Sequence, residues 1–79
     1  MNKDRIQFEI RMMENNIKRC GANIASARKN LTNTVTNGSD LDIATFAKPY
    51  VETIEKNIND LKHYTDIREM LESMLTDAE

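Results

Sequence analysis

The sequence predicts an all-α fold: an antiparallel hairpin of two long helices that assembles with further copies into a helical-bundle oligomer. Three observations carry this expectation. Apolar residues recur at steps of four and three through the first half of the chain, a polar Asn37-Gly38-Ser39 segment interrupts the pattern near the middle, and the 79 residues include only two Gly and one Pro. An apolar stripe, one turn and a second apolar stripe is the pattern of two helices packed side by side.

The first helix is expected over about residues 3–36. Ile6, Ile10, Met13, Ile17, Cys20, Ile24, Ala27 and Leu31 follow one another at steps of 4, 3, 4, 3, 4, 3 and 4, a heptad seam that faces a partner helix. Asn37-Gly38 then suits a left-handed C-cap, and the turn is placed at 37–39. Gly21 lies mid-helix between Cys20 and Ala22, where small side chains let another backbone approach or allow a slight bend. Asn16, Asn23 and Asn30 border the seam, and two readings stay open for them: hydrogen bonding across an interface, or a solvated polar edge.

The second helix is expected over about residues 40–77. Ser39 caps its free amides, and Asp42, three residues on, reaches back or complements the helix dipole. Pro49 removes the backbone bond to the carbonyl of Thr45, which predicts a kink or a break near 48–49, the latter leaving a short helix at 40–47. Val51, Ile54, Ile58, Leu61, Tyr64, Ile67, Leu71 and Met74 continue an apolar stripe, with two successive steps of 3 around Tyr64 that depart from strict heptads.

With the turn centred near Gly38, residues whose numbers sum to about 76 are expected to face one another in an αα-hairpin. That register sets Met12 beside Tyr64 and Ile24 beside Glu52 or Thr53. Met1, Met12, Met13, Met70 and Met74 then gather at the open end with Phe8 and Leu75. Their apolar surface is broader than a two-helix contact buries, and it reads as a subunit interface in preference to a surface for an outside partner.

So short a chain buries too little apolar surface to stand alone without a staple. Cys20 is the only cysteine and His63 the only histidine, so neither an intrachain disulfide nor a structural zinc site is available. Association with other subunits remains. The net charge of −2 conceals an asymmetry: residues 1–36 carry seven basic and three acidic side chains, residues 37–79 four basic and ten acidic. Opposite signs favour pairing of the two helices, within a hairpin or between subunits. They also disfavour nucleic acid as a partner, because the basic side chains face an acidic helix. The absence of long apolar runs and of a leader pattern points to a cytoplasmic protein without a membrane partner.

No catalytic constellation is visible. A phosphate-cradling glycine loop, a Cys–His pair at workable spacing and a metal-ligand set are all missing, so the expectation is a non-enzyme without cofactors or metals. His63 reads as a surface residue, Cys20 as a small apolar seam residue, and the acidic side chains of the second helix as a solvated face.

One cluster supports a sharper reading. In the expected register Phe8, Arg11, His63, Tyr64 and Arg68 approach the same level, and aromatic rings with arginine forks suit nucleobases and phosphates. The competing reading packs Tyr64 at an interface and pairs the arginines with Asp66 and Glu69.

Leu61-Lys62-His63-Tyr64-Thr65-Asp66-Ile67 resembles the apolar-x-x-Tyr-Ser/Thr-acidic-apolar stretch of the phage anti-CBASS cyclic-oligonucleotide sponges. Arg5-Ile6, Met13 and Ile17-Lys18-Arg19-Cys20 are similar to the start and heptad spacing of that family's first long helix. The resemblance implies a small hairpin forming compact oligomers, often hexamers, that sequesters a cyclic di- or trinucleotide immune signal in the host cytoplasm without cleaving it. Tyr64 and Thr65 stand at matching positions. Pro49, the Thr/Asn-rich turn and Arg68 depart from the family pattern. Phe8, Arg11, Tyr64, Thr65 and Arg68 are the candidate ligand-binding residues. The alternative is an inhibitor or adaptor that offers a helical face to a host protein. An RNA-binding bundle using Lys18, Arg19, Arg28 and Lys29 is a third, less favoured reading in an acidic chain.

Overall fold

The computed structural model describes residues 2–78. Two helices, α1 (Lys3–Asn37) and α2 (Asp40–Ala78), lie side by side as an antiparallel hairpin measuring 58 × 14 × 12 Å. Among the described residues there is no strand.

Each helix end is fixed by local chemistry. Asn2 Oδ1 accepts the Arg5 N–H at 2.8 Å, which caps the start of α1. At its other end the Gly38 N–H donates to the Thr34 carbonyl at 2.9 Å. Gly38 does not take the left-handed conformation expected of the Asn37-Gly38 pair; its φ of −82° and ψ of 160° are extended. Glycine is required there for room: a Cβ would lie 2.5 Å from the Thr34 carbonyl oxygen and 3.1 Å from the Asp42 Cβ. Ser39 and Asp42 then form a reciprocal capping box, Ser39 N–H to Asp42 Oδ2 and Asp42 N–H to Ser39 Oγ, both at 3.1 Å.

Pro49 lies inside α2, which is continuous through it, so the break near 48–49 does not occur. Pro49 and Thr45 are both exposed. The carbonyl that loses its donor therefore faces water, and the helix tolerates the loss.

The seam of α1 is the one the spacing predicts. Ile6 (1% exposed), Ile10, Cys20 and Ala27 are buried, with Met13, Ile17, Ile24 and Leu31 partly so. The inner face of α2 differs from the predicted stripe. Ile43, Ala47, Tyr50, Ile54, Asn57, Leu61, Tyr64, Arg68, Leu71 and Leu75, all buried or half-buried, alternate steps of 4 and 3, and Asp60, Thr65 and Ile67 beside them are half-buried too. The irregular steps around Tyr64 arise from counting the exposed Ile58 in place of Asn57, and Ile67, which packs against the core, in place of Arg68; Val51 and Met74, both exposed, likewise stand next to the half-buried Tyr50 and Leu75.

Packing is densest at the open end, where Ile6, Ile10 and Leu71 form a core with Met13, Ile67 and Leu75 against it. Midway along, the seam is polar. Asn57, 7% exposed, donates from Nδ2 to the Thr53 carbonyl at 2.8 Å and accepts from Asn23 Nδ2 at 3.1 Å. This pair fixes the register at residue numbers summing to 80, four more than the turn alone suggests. Helical side chains lean toward their own N-terminus, by about one position each. In an antiparallel pair the two leans point opposite ways along the rod, so touching residues lie further from the turn on α2 and nearer to it on α1. The sum rises by about two on this account, half of the difference.

Among the described residues, Arg5–Glu9, Lys48–Glu52, Lys56–Asp60 and Arg68–Glu72 are four ion pairs that each join positions four apart on one helix. Such surface pairs contribute little to stability, because solvent screens them and two long side chains must be ordered to form them. The Lys56 ammonium is held above its ordinary pKa by its hydrogen bond to Asp60. None of the four spends the opposite charges of the two helices on one another.

Candidate functional site at the open end

The register decides which of the predicted site residues meet. With sums near 80, Tyr64 stands level with Asn16 and Arg68 with Met12, whereas Phe8 is level with Glu72. Phe8 and Tyr64 are therefore about two turns apart along the rod, roughly 12 Å at 1.5 Å per residue. Phe8 is exposed on the outer face of α1, with the Arg5 guanidinium 5.6 Å from its ring centroid. Arg11 is also exposed. One hairpin does not gather all five residues into a pocket.

Two of them do share a face. Tyr64 and Arg68 occupy successive seam positions of α2, one turn apart, and both are partly buried. The Tyr64 ring lies 5.9 Å from that of His63, tilted by 50°. Thr65 flanks the seam, and its hydroxyl donates to the Leu61 carbonyl at 2.7 Å, so that hydrogen is committed to its own helix.

Arg68 is the unusual member. Its side chain is 32% exposed and its Nε stands 3.6 Å from Glu72 Oε1, an ion pair in place of the expected pairing with Asp66 or Glu69. That Nε is enclosed and has no hydrogen-bond partner. A guanidinium at a seam position normally forfeits stability, because enclosed N–H donors lose water without replacement. Its fork retains donors suited to a phosphate or carboxylate.

Around this pair lies apolar surface. Met12, Met70 and Met74 are exposed at the open end, and Met13 belongs to the core beneath them. Met1 lies outside the described residues. Methionine adapts to irregular contacts, so such an end accommodates partners of varied shape. Cys20 is buried and free, as its seam position implies. Among the described residues no group of His, Cys, Asp and Glu is arranged to hold a metal ion, and no helix is long and apolar enough to cross a membrane.

The role of Glu72 and the exposed row of Val51 and Ile58 escape a reading of the sequence. Glu72 was findable as the acidic residue four positions after Arg68. Val51 and Ile58 were not, because they pass for seam residues until the true seam is known. Comparison with protein families, with curated proteins and with solved structures gives no match.

Proposed function

We propose that this chain is a non-enzymatic binding protein whose working form is a homo-oligomer, and that it sequesters an anionic cyclic nucleotide with Tyr64 and Arg68. The observation that supports this most directly is the enclosed, unsatisfied Nε of Arg68 one turn from the Tyr64 ring. A donor kept in that state costs the hairpin stability, and the remaining, partly exposed guanidinium offers its N–H groups to a ligand oxygen. The aromatic ring beside it offers a face for a base. The resemblance of residues 61–67 to the cyclic-oligonucleotide sponges points to the same ligand class. Self-association is supported by the small core and by the exposed Val35, Val51 and Ile58.

Native mass spectrometry of protein purified from cells with active cyclic-nucleotide signalling tests the reading. A multi-chain species carrying nucleotide mass, lost on Tyr64→Ala or Arg68→Ala, is the expected result. Equal retention of nucleotide by those variants overturns the site.

A second reading, an inhibitor or adaptor that docks on a host protein, is favoured by exposed Phe8, Met12 and Met70. It requires a stable complex that Met12→Glu disrupts while the oligomer persists. A phage-encoded, cytoplasmic protein suits either reading.

A further inference from the structure

The turn between the helices carries a chemistry that neither the seam nor the open end uses. Of the asparagines in the chain, Asn37 alone precedes a glycine. The amide carbon of an asparagine is open to attack by the backbone nitrogen of the next residue, and a side chain on that residue is what ordinarily hinders the approach. Position 38 has none, and a Cβ there would lie 2.5 Å from the Thr34 carbonyl oxygen. The packing that closes the turn therefore keeps Asn37 beside the least hindered amide a protein offers.

In the folded hairpin both groups are held back. Asn37 is the last residue of α1, and its helical backbone must rotate before the Gly38 nitrogen reaches Asn37 Cγ. That nitrogen donates its hydrogen to the Thr34 carbonyl at 2.9 Å. Asn37 Nδ2 donates to Asn33 Oδ1 at 2.7 Å, which fixes the amide along its own helix. All of these restraints belong to the last turn of α1, and helix ends are where opening is easiest. Asn37 is exposed, so water reaches it when the turn opens.

We propose that Asn37 is a site of self-modification, converted to aspartate and isoaspartate whenever the last turn of α1 opens, and that the product destabilises the turn that forms it. The Gly38 nitrogen gives up its hydrogen to water and bonds to Asn37 Cγ. The Cγ–Nδ2 bond breaks, ammonia leaves, and a cyclic imide closes. Water then opens the imide: addition at Cγ restores the backbone with an aspartate at position 37, whereas addition at the main-chain carbonyl routes the chain through the side chain as an isoaspartate. The net change is amide plus water to carboxylic acid plus ammonia, with no oxidant or reductant involved.

The product does not suit its surroundings. A carboxylate has no hydrogen for Asn33 Oδ1, so acceptors face one another where a 2.7 Å bond stood. Its charge falls at the C-terminus of α1, where the helix dipole disfavours an anion and the last turn holds no basic residue. It also shares a cleft with Asp42, whose carboxylate already accepts the Ser39 N–H. Isoaspartate adds a methylene to the main chain and so misplaces the Gly38 N–H relative to the Thr34 carbonyl.

Peptide mass spectrometry, with enzymatic methylation to count isoaspartate, tests this on the full chain incubated for weeks in neutral buffer and in urea. Conversion is expected at Asn37 and at no other asparagine, and faster in urea than in buffer. Gly38→Ala is expected to slow it in urea, where packing no longer matters. Asn33→Ala removes the side-chain restraint, so it is expected to speed conversion in buffer and leave the urea rate unchanged. Hydrogen exchange of the Gly38 amide needs the same opening, and its rate in buffer is expected to rise with that of conversion. Asn37→Asp introduces the charge without altering the main chain and is expected to melt below the parent. An unconverted Asn37 in buffer overturns the modification. Equal rates in buffer and urea, with helicity in buffer confirmed by circular dichroism, overturn its control by the turn. An Asn37→Asp variant that melts with the parent overturns the effect assigned to the new charge.

Discussion

Asn23 and Asn57 join the two helices through a side-chain hydrogen bond of 3.1 Å, and the second amide hydrogen-bond partner of Asn57, the Thr53 carbonyl, lies on its own helix. A buried amide satisfied on both sides stabilises one axial register over its neighbours, since a slip of one turn leaves it unpaired. Asn57→Ala is expected to destabilise by about 1 kcal/mol in urea titration. Asn57→Leu is expected to raise the urea midpoint, because apolar surface then fills the seam. The same variant is expected to broaden the distance between labels on the two helices by roughly one 5.4 Å turn. A single sharp distance in Asn57→Leu would remove the register role.

Both helices and their ends were legible in the sequence, and the same pair shows why the buried face of α1 was legible throughout and that of α2 only in part. Every seam position of α1 from Ile6 to Leu31 is apolar, so spacing alone reveals the buried face. In α2 the seam passes through Ala47, Asn57 and Arg68, while Val51 and Ile58 stand one residue to the side. Hydrophobicity therefore strays to both sides of the buried face, with Val51 and Ile58 just after seam positions and Met74 just before one. The candidate site inherited that error together with the four-residue register shift, which is why Phe8 and Tyr64 were placed together. Only Tyr64 and Arg68, four apart on one helix, kept a relation that no register can alter.

Gly38 gives a second test of local geometry. Its φ lies in the ordinary negative range, so alanine is not excluded by backbone conformation. It is excluded by space, with the Thr34 carbonyl oxygen 2.5 Å from the Cβ position. Gly38→Ala is expected to lower stability by about 1–3 kcal/mol, as forced overpacking does. Replacement by D-alanine, which normally relieves a left-handed glycine, is not expected to recover that loss. Full recovery would indicate a left-handed cap in solution.

The reciprocal bonds between Ser39 and Asp42 predict coupling. Ser39→Ala and Asp42→Ala are each expected to cost about 1 kcal/mol. The double variant is expected to fall short of their sum, because either substitution alone dismantles a shared unit. Strict additivity in thermal melts would mean that the two bonds form independently.

At the open end, Leu71 is buried against Ile6 and Ile10, whereas Leu41 near the turn is 75% exposed. Leu71→Ala is expected to cost 2–5 kcal/mol, a rough range for buried leucines that includes the cavity left behind. Leu41→Ala is expected to change stability by less than about 0.5 kcal/mol. Comparable losses for both would mean that Leu41 is covered in solution by another chain.

Arg68 separates folding from binding most sharply. At a seam position, with its Nε enclosed and Glu72 3.6 Å away, it contributes less to the hairpin than an apolar residue of similar size. Arg68→Leu is therefore expected to raise the melting temperature, the opposite of what most buried substitutions do. If Arg68 is kept for an anionic ligand, the stabilised variant is expected to lose binding of cyclic dinucleotide in calorimetry, whereas Arg68→Lys retains charge but loses the fork and binds weakly. A stabilised Arg68→Leu that binds like the parent would leave the guanidinium without a role in ligand recognition, and a destabilised one would make it a structural residue whose Nε finds a partner in the assembled oligomer.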